Sequence, residues 1–446
     1  MHEDSNEPIE QLQTLAAQLL DRARVAGASQ AEVSCSQERG LSVNVRMGDV
    51  ETVEATRDRG IGVTVYFGQR KGSASTADLS ADSLDATVHQ ACAIARFTEA
   101  DPAAGLADPD LMAREPRRFD TWHPWSLEAD RAVDLALACE AAGRDADPRI
   151  GNSDGASVSS GQSLSVYANS HGFVGHERGT RHAISCTLIA GQGDAMQRNG
   201  WYSVAFKFDD LESASSVGRR AAERTVARLD PRRTQTGQMP VLFSAETART
   251  LIGHLLGAIS GGALYRGASF LLDSLGQRLF PDWLEMIEDP LMERGWRSAW
   301  FDAEGVATRR SALVQEGKLQ RYLLGSYSAR KLGLTTTANA GGVHNLLVPG
   351  NAGTQAEIIA GMLHGVLVTE LMGQGVNTIT GDYSRGAAGF LIEHGEIVGP
   401  VDEITIAGNL RSMFESIEAV GSEIDPRSHI AIGPVLVGAM TVAGGE

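Results

Sequence analysis

Apolar residues first recur at helical spacing over residues 9–25, where Leu12, Leu15, Ala16 and Leu19 share one face. Residues 31–35 and 41–46 then alternate as strands do, Met47-Gly48-Asp49 reads as a hairpin turn into the next strand, and residues 60–67 form another. Helical spacing returns at 80–97, with Leu84, Val88, Ala91 and Ile94 on one side. The stretch from Pro102 to Pro124, rich in Pro, Asp and Trp, is a connection. A helix over 127–143 carries Leu127, Ala132, Leu135 and Cys139. Strands dominate 149–210, with a hairpin turn at 169–172, and a helix spans 212–229. Residues 230–238 have no periodicity, so the boundary falls there, between a domain over 1–235 and one over 236–446.

The rear domain opens with a strand at 239–243 and then a helix. Ser244 stands at its N-cap and Glu246 in its first turn, where the helix dipole favours an acid. Ala248, Leu251, Ile252, Leu255, Leu256 and Ile259 follow i, i+3, i+4, i+7, i+8, i+11, which is a core stripe. The opposite face holds Thr250, Gly253, His254 and Gly257. Each interior glycine costs about 0.5–1 kcal/mol against alanine, so this face either abuts another backbone or lines a cavity. After about residue 297 the pattern is short strands and turns, with hairpins at 313–319 and 391–397 and a Gly-rich last third. The fold class is α+β: an N-terminal helix-and-mixed-sheet domain followed by a sheet-rich, barrel-like C-terminal domain.

Composition narrows the function classes. Apolar residues make up 42% and charged residues 21% of 446, as in a soluble globular chain. No apolar run reaches the ~18 residues that span a bilayer, and the polar start M-H-E-D-S-N-E-P is no secretory signal. Net charge is −17, and after Lys331 only Arg385, Arg411 and Arg427 oppose twelve acids, a surface that repels nucleic acid. Cys35, Cys92, Cys139 and Cys186 lie far apart with no C-x-x-C, which fits reduced thiols in a cytoplasm.

The helix at 245–259 lacks what a zinc-peptidase helix needs, two imidazoles and a carboxylate: between Thr247 and Leu272 there is one His and no acid. His254 therefore reads first as a hydrogen-bonded structural residue. G-G-V-H-N (341–345) offers His344 and Asn345 either to a bound peptide or to turn chemistry, the second being favoured. In G-D-Y-S-R-G-A-A-G (381–389), Asp382 and Arg385 are expected to pair with each other, the alternative being Arg385 on a peptide carboxylate. Tyr265 and Arg266 follow the helix and belong to a loop, a subunit contact or a chamber wall. No P-loop, nucleophile elbow or dinucleotide fingerprint occurs.

Long tracts resemble a known family. G-H-L-L-G-A-I-S-G-G (253–262), S-F-L-L-D-S-L-G (269–276), S-Y-S-A-R-K-L-G-L (326–334), A-G-G-V-H-N (340–345) and T-E-L-M-G-Q-G-V-N-T-I-T-G-D-Y-S-R-G-A-A-G-F (369–390) are similar to the PmbA/TldE branch of the TldD/PmbA metallopeptidase family, as are R-K-G-S-A-S-T-A-D-L-S (70–80) and V-Y-A-N-S-H-G (166–172). The resemblance implies a two-subunit enzyme whose TldD-like subunit carries zinc on an H-E-x-x-x-H helix and a C-terminal Cys. The pair encloses a chamber that degrades unfolded peptides and processes small ones. Anchored on Arg266-Gly267 and Ser269, the partner's ligands fall near Ile252, Gly253, Gly257 and Ile432 here, and no cysteine follows Cys186. The implied role is that of a metal-free, cofactor-free cytoplasmic subunit, inactive alone and without catalytic residues, partnered by a TldD-like chain. Its groove candidates are His254, Tyr265, Arg266, His344, Asn345, Asp382 and Arg385. Self-association is a further expectation, and the competing one is a non-proteolytic regulator of the gyrase-modulator kind. Nucleic acid and membrane are not expected partners.

Overall fold

A computed structural model describes residues 6–444. The reading of the extreme N-terminus as no secretory signal falls in large part on residues 1–5, outside the described residues, as do the last two residues of the rear domain.

The front half runs α1 (Glu7–Val25), β1 (Gln30–Arg46), β2 (Asp49–Phe67), β3 (Arg70–Thr76), α2 (Ala81–Phe97), α3 (Ala129–Arg144), β4 (Ile150–Asn169), β5 (Val174–Ala190), β6 (Gln197–Ala205) and α4 (Ala214–Val226). Its strands form one antiparallel sheet in the order β3-β2-β1-β4-β5-β6. Residues 31–35 and 41–46 are thus one strand, and 60–67 is only the second half of β2. The sheet carries two cores: α1 and α2 cover Val33, Cys35, Ile61 and Val63, while α3 and α4 cover Val43, Val45, Ile184 and Leu188. The middle of β1 and the whole first half of β2 are largely exposed, so the apolar alternation that marks a strand lapses there. On α2 the buried stripe runs through Leu84, Val88, Ala91, Cys92 and Ala95, and Ile94, expected inside, is 41% exposed.

The rear half runs β7 (Gly237–Phe243), α5 (Ala245–Ala258), α6 (Gly261–Tyr265), β8 (Met286–Glu288), β9 (Ser311–Gln315), β10 (Lys318–Leu319), α7 (Ser326–Leu332), β11 (Leu346–Leu347), α8 (Gln355–Ala360), β12 (His364–Met372), β13 (Asp382–Glu393), β14 (Glu396–Asn409), α9 (Leu410–Glu415), β15 (Ile417–Val420), β16 (Ile430–Ala431) and β17 (Val435–Ala443). The strands β14-β13-β12-β7-β17 close into a barrel through the β14–β17 pairing, with β15 added to β17. A second sheet, β10-β9-β8-β11-β16, flanks it. The α5 stripe and the inward residues of the barrel strands form one continuous core. All four hairpin turns expected from sequence occur, the one at 169–172 joining β4 to β5. Met47-Gly48, Glu316-Gly317 and His394-Gly395 each have positive φ at both residues, the conformation that suits the twist of a two-residue hairpin. Among the described residues, no helix is long and apolar enough to cross a membrane.

Candidate functional site

The helix α5 forms where its pattern places it. The Ser244 hydroxyl caps it by accepting from the Thr247 amide, and Leu251, Ile252 and Leu255 are buried. Its other face resolves the choice left by the glycines: nothing lies within 4 Å of where a Cβ would stand on Gly253 or Gly257. The face looks onto open space instead of a neighbouring backbone.

Three side chains meet at this face. The His254 ring stands edge-on to Tyr383 of β13, with ring centroids 5.9 Å apart. Tyr383 and Arg385 are two residues apart on one strand, so they share a side of the sheet. His254 Nε2, Tyr383 Oη and Arg385 Nε are all shielded from solvent without a well-formed hydrogen bond, Tyr383 and Arg385 lying side by side. His254 is therefore not the hydrogen-bonded structural residue its sequence context favoured. Burial, and then the charge of Arg385, lower its pKa, so the ring is neutral at pH 7. Burial raises the Tyr383 phenol to about 12 against the opposing pull of Arg385. The expected Asp382–Arg385 pair does not form. Asp382 points to the other side of β13, where it accepts from Thr380 Oγ1 at 2.6 Å and from Asn409 Nδ2 at 3.4 Å. Arg385 has no carboxylate partner among the described residues.

These residues do not fit a zinc ion. Ile252 and Ile432 are buried in the apolar core, and Gly253 and Gly257 bring no donor. The one imidazole lies beside a guanidinium, which repels a second cation. The four cysteines are buried in the front half. Among the described residues, no group of three or more His, Cys, Asp or Glu is arranged to hold a metal.

The other candidates lie elsewhere. Tyr265 packs edge-on against Tyr327 of α7 at 5.8 Å, and Arg266 donates to the Tyr265 hydroxyl at 3.1 Å, an exposed loop contact. His344 gives its backbone N–H at 2.6 Å and its Nδ1 at 2.8 Å to Glu288 Oε1. Asn345 accepts from the Arg297 amide and donates to Ser298 Oγ and the Asp289 carbonyl. Both brace the turn, as the favoured reading had it. Burial pushes Glu288 up, but His344 and Arg321 outweigh it and hold the carboxyl below its ordinary value.

One large cavity was not foreseen. About 980 Å³ separates the sheet face opposite the helices from the loops at 296–303 and 340–344, with Ser34, Ser36, Gly60 and Gly62 on its floor. Glu177 of β5 borders it with an unpartnered Oε1, and burial raises its carboxyl to about 7. Nothing in H-E-R on a strand announces this, because the loops around Glu177, at 117–122 and 296–303, are distant in sequence.

Residues 31–95, 122–229 and 236–444 match the models for PmbA/TldA metallopeptidase domain 1, central domain and C-terminal domain. The chain is 47% identical over 414 residues to the metalloprotease PmbA of Escherichia coli O157:H7, covering 93% of this chain and 92% of that one. A crystal structure of a candidate modulator of DNA gyrase from Bacteroides thetaiotaomicron superposes with a TM-score of 0.91 at 27% identity, covering 97% of this chain and 99% of that one. TldE from Thermococcus kodakarensis shares the fold, with a TM-score of 0.83 at 18% identity over 96% of this chain and 99% of that one.

Proposed function

The chain belongs to the PmbA/TldE branch of the TldD/PmbA metallopeptidase family, and from that premise we propose that it is the non-metal subunit of a cytoplasmic peptidase completed by a TldD-type chain. The observation that carries this reading is α5: a capped, well-buried helix whose open face presents glycines and one neutral histidine where a zinc peptidase needs two imidazoles, an acid and a thiolate. The metal, the activated water and the general base then belong to the partner. This chain contributes a chamber wall, and its substrates are unfolded or small peptides.

The test has two parts. Elemental analysis of the purified chain should find less than stoichiometric zinc, and an unfolded casein substrate should remain uncut. Addition of a TldD-type subunit from the same genome should give a stable complex and chelator-sensitive cleavage beyond that of the partner alone. Stoichiometric zinc with cleavage by the lone chain overturns the proposal. Failure to associate at micromolar concentration turns the reading towards a non-proteolytic regulator.

A further inference from the structure

We propose that His254, Tyr383 and Arg385 form a binding site for a peptide carboxylate at the open face of α5. That the ligand is a peptide rests on the chamber reading above; that it is a carboxylate rests on these three side chains alone.

Buried polar atoms in folded proteins nearly always have partners, and an exception asks for a reason. Here three exceptions occur together, on two elements that face each other. Tyr383 is 2% exposed, so its hydroxyl has no ready substitute in bulk water. Their chemistry is complementary to one ligand class. The guanidinium carries a permanent positive charge and donates through a planar fork that matches a carboxylate. The phenol stays protonated and can donate. The imidazole is neutral, and its Nε2 is available to donate in one tautomer or accept in the other. Asp382, the nearest acid in sequence, faces the other way and is held by Thr380 and Asn409. One uncompensated cation flanked by two neutral polar groups suits a monoanion, and it leaves a phosphate dianion half neutralised. Access is also provided. Gly257 is exposed, and the missing side chains of Gly253 and Gly257 leave an approach alongside His254. Glycine is a poor choice on a merely solvated helix face, which would be better served by Glu or Lys.

A peptide carboxylate can be a free C-terminus or an Asp or Glu side chain, and calorimetric titration of the full-length chain can separate them. The probes are N-acetyl-trialanine, its C-terminal amide, and N-acetyl-Ala-Glu-Ala amide. The free acid should bind at least about tenfold more tightly than its amide, as loss of a charge-assisted contact implies. Binding of the glutamyl amide as tightly as the free acid keeps the site and assigns it to side chains. Arg385→Gln should abolish the discrimination between acid and amide, Arg385→Lys should retain part of it, and Tyr383→Phe should weaken it with the fold intact by circular dichroism. Equal binding of acid and amide, no binding of any probe at millimolar concentration, or full discrimination in a folded Arg385→Gln variant overturns the proposal. The titration needs neither the partner nor a metal, so its failure is distinct from failure of the chamber reading.

Discussion

Glu177 shows how much a single residue owes to contacts distant in sequence. Its carboxyl is raised by burial from the ordinary value to about 7, so folding favours its protonated form. The sign follows from linkage: the benefit of that proton is complete below pH 4.5 and is lost as pH rises through 7. Glutamine mimics the neutral form at every pH. The stability of Glu177→Gln relative to wild type should therefore grow by about 2 kcal/mol between pH 5.5 and pH 8.5. Urea unfolding at both pH values checks this, and a constant difference would show that the carboxyl is hydrated after all. Neither the burial nor the shift was legible in the sequence, because the covering loops, at 117–122 and 296–303, are distant along the chain. Arg385 and His254 were legible as chemistry but not as neighbours. Alternation along D-Y-S-R was the available signal: it puts Tyr383 with Arg385 and turns Asp382 away, which is why the expected ion pair is absent.

Among the elements, α5 was read most completely. Its stripe, cap and first-turn acid are all where the pattern put them, because each is a local property of a 3.6-residue repeat. The β1–β2 hairpin was read least well. Its turn was plain, but two separate cores on one sheet leave its middle without the alternation that marks a strand. The α5 glycines allow a direct test of the open face. Gly253→Ala and Gly257→Ala place a methyl group in empty space, so each should stabilise the chain by about 0.5–1 kcal/mol through helix propensity. Gly218→Ala is the contrasting case. There a Cβ would collide with the Cys139 carbonyl where α4 crosses α3, and the variant should lose stability. Thermal unfolding of the three variants should give shifts of opposite sign. Destabilisation by Gly253→Ala would mean that this face packs against something.

One of the contacts that join the two halves of the molecule is a cationic junction at α5. Arg427 donates to Glu246 of α5 at 2.7 Å, to Asp425 at 2.8 Å and to the Tyr202 carbonyl of β6 at 3.1 Å, and its guanidinium lies 3.8 Å from the Trp201 ring centroid. Arg224 of α4 meets the other oxygen of Glu246 at 2.9 Å, and Arg228 joins α4 to Glu370 and Asp402 of the rear half. Sequence showed Arg427 only as one of the last three cations in an acidic half, since its partners come from three separate segments. The junction sets how the open face of α5 is presented, so it couples fold to proposed function. The Arg427 side chain is 8% exposed, and removing it leaves Glu246 to Arg224 alone and Asp425 to Arg249 alone. Arg427→Ala should cost about 1.5–3 kcal/mol, the range for hydrogen bonds to charged groups, and Arg427→Lys a large part of that, because an ammonium cannot reproduce the fork or the ring stacking. The location of the loss is more informative than its size. Hydrogen exchange in Arg427→Ala should quicken together in β6 and at the start of α5, the two elements the guanidinium joins. Faster exchange in α5 alone, with β6 unchanged, would show that the halves are coupled elsewhere and that the presentation of this face does not depend on the front sheet.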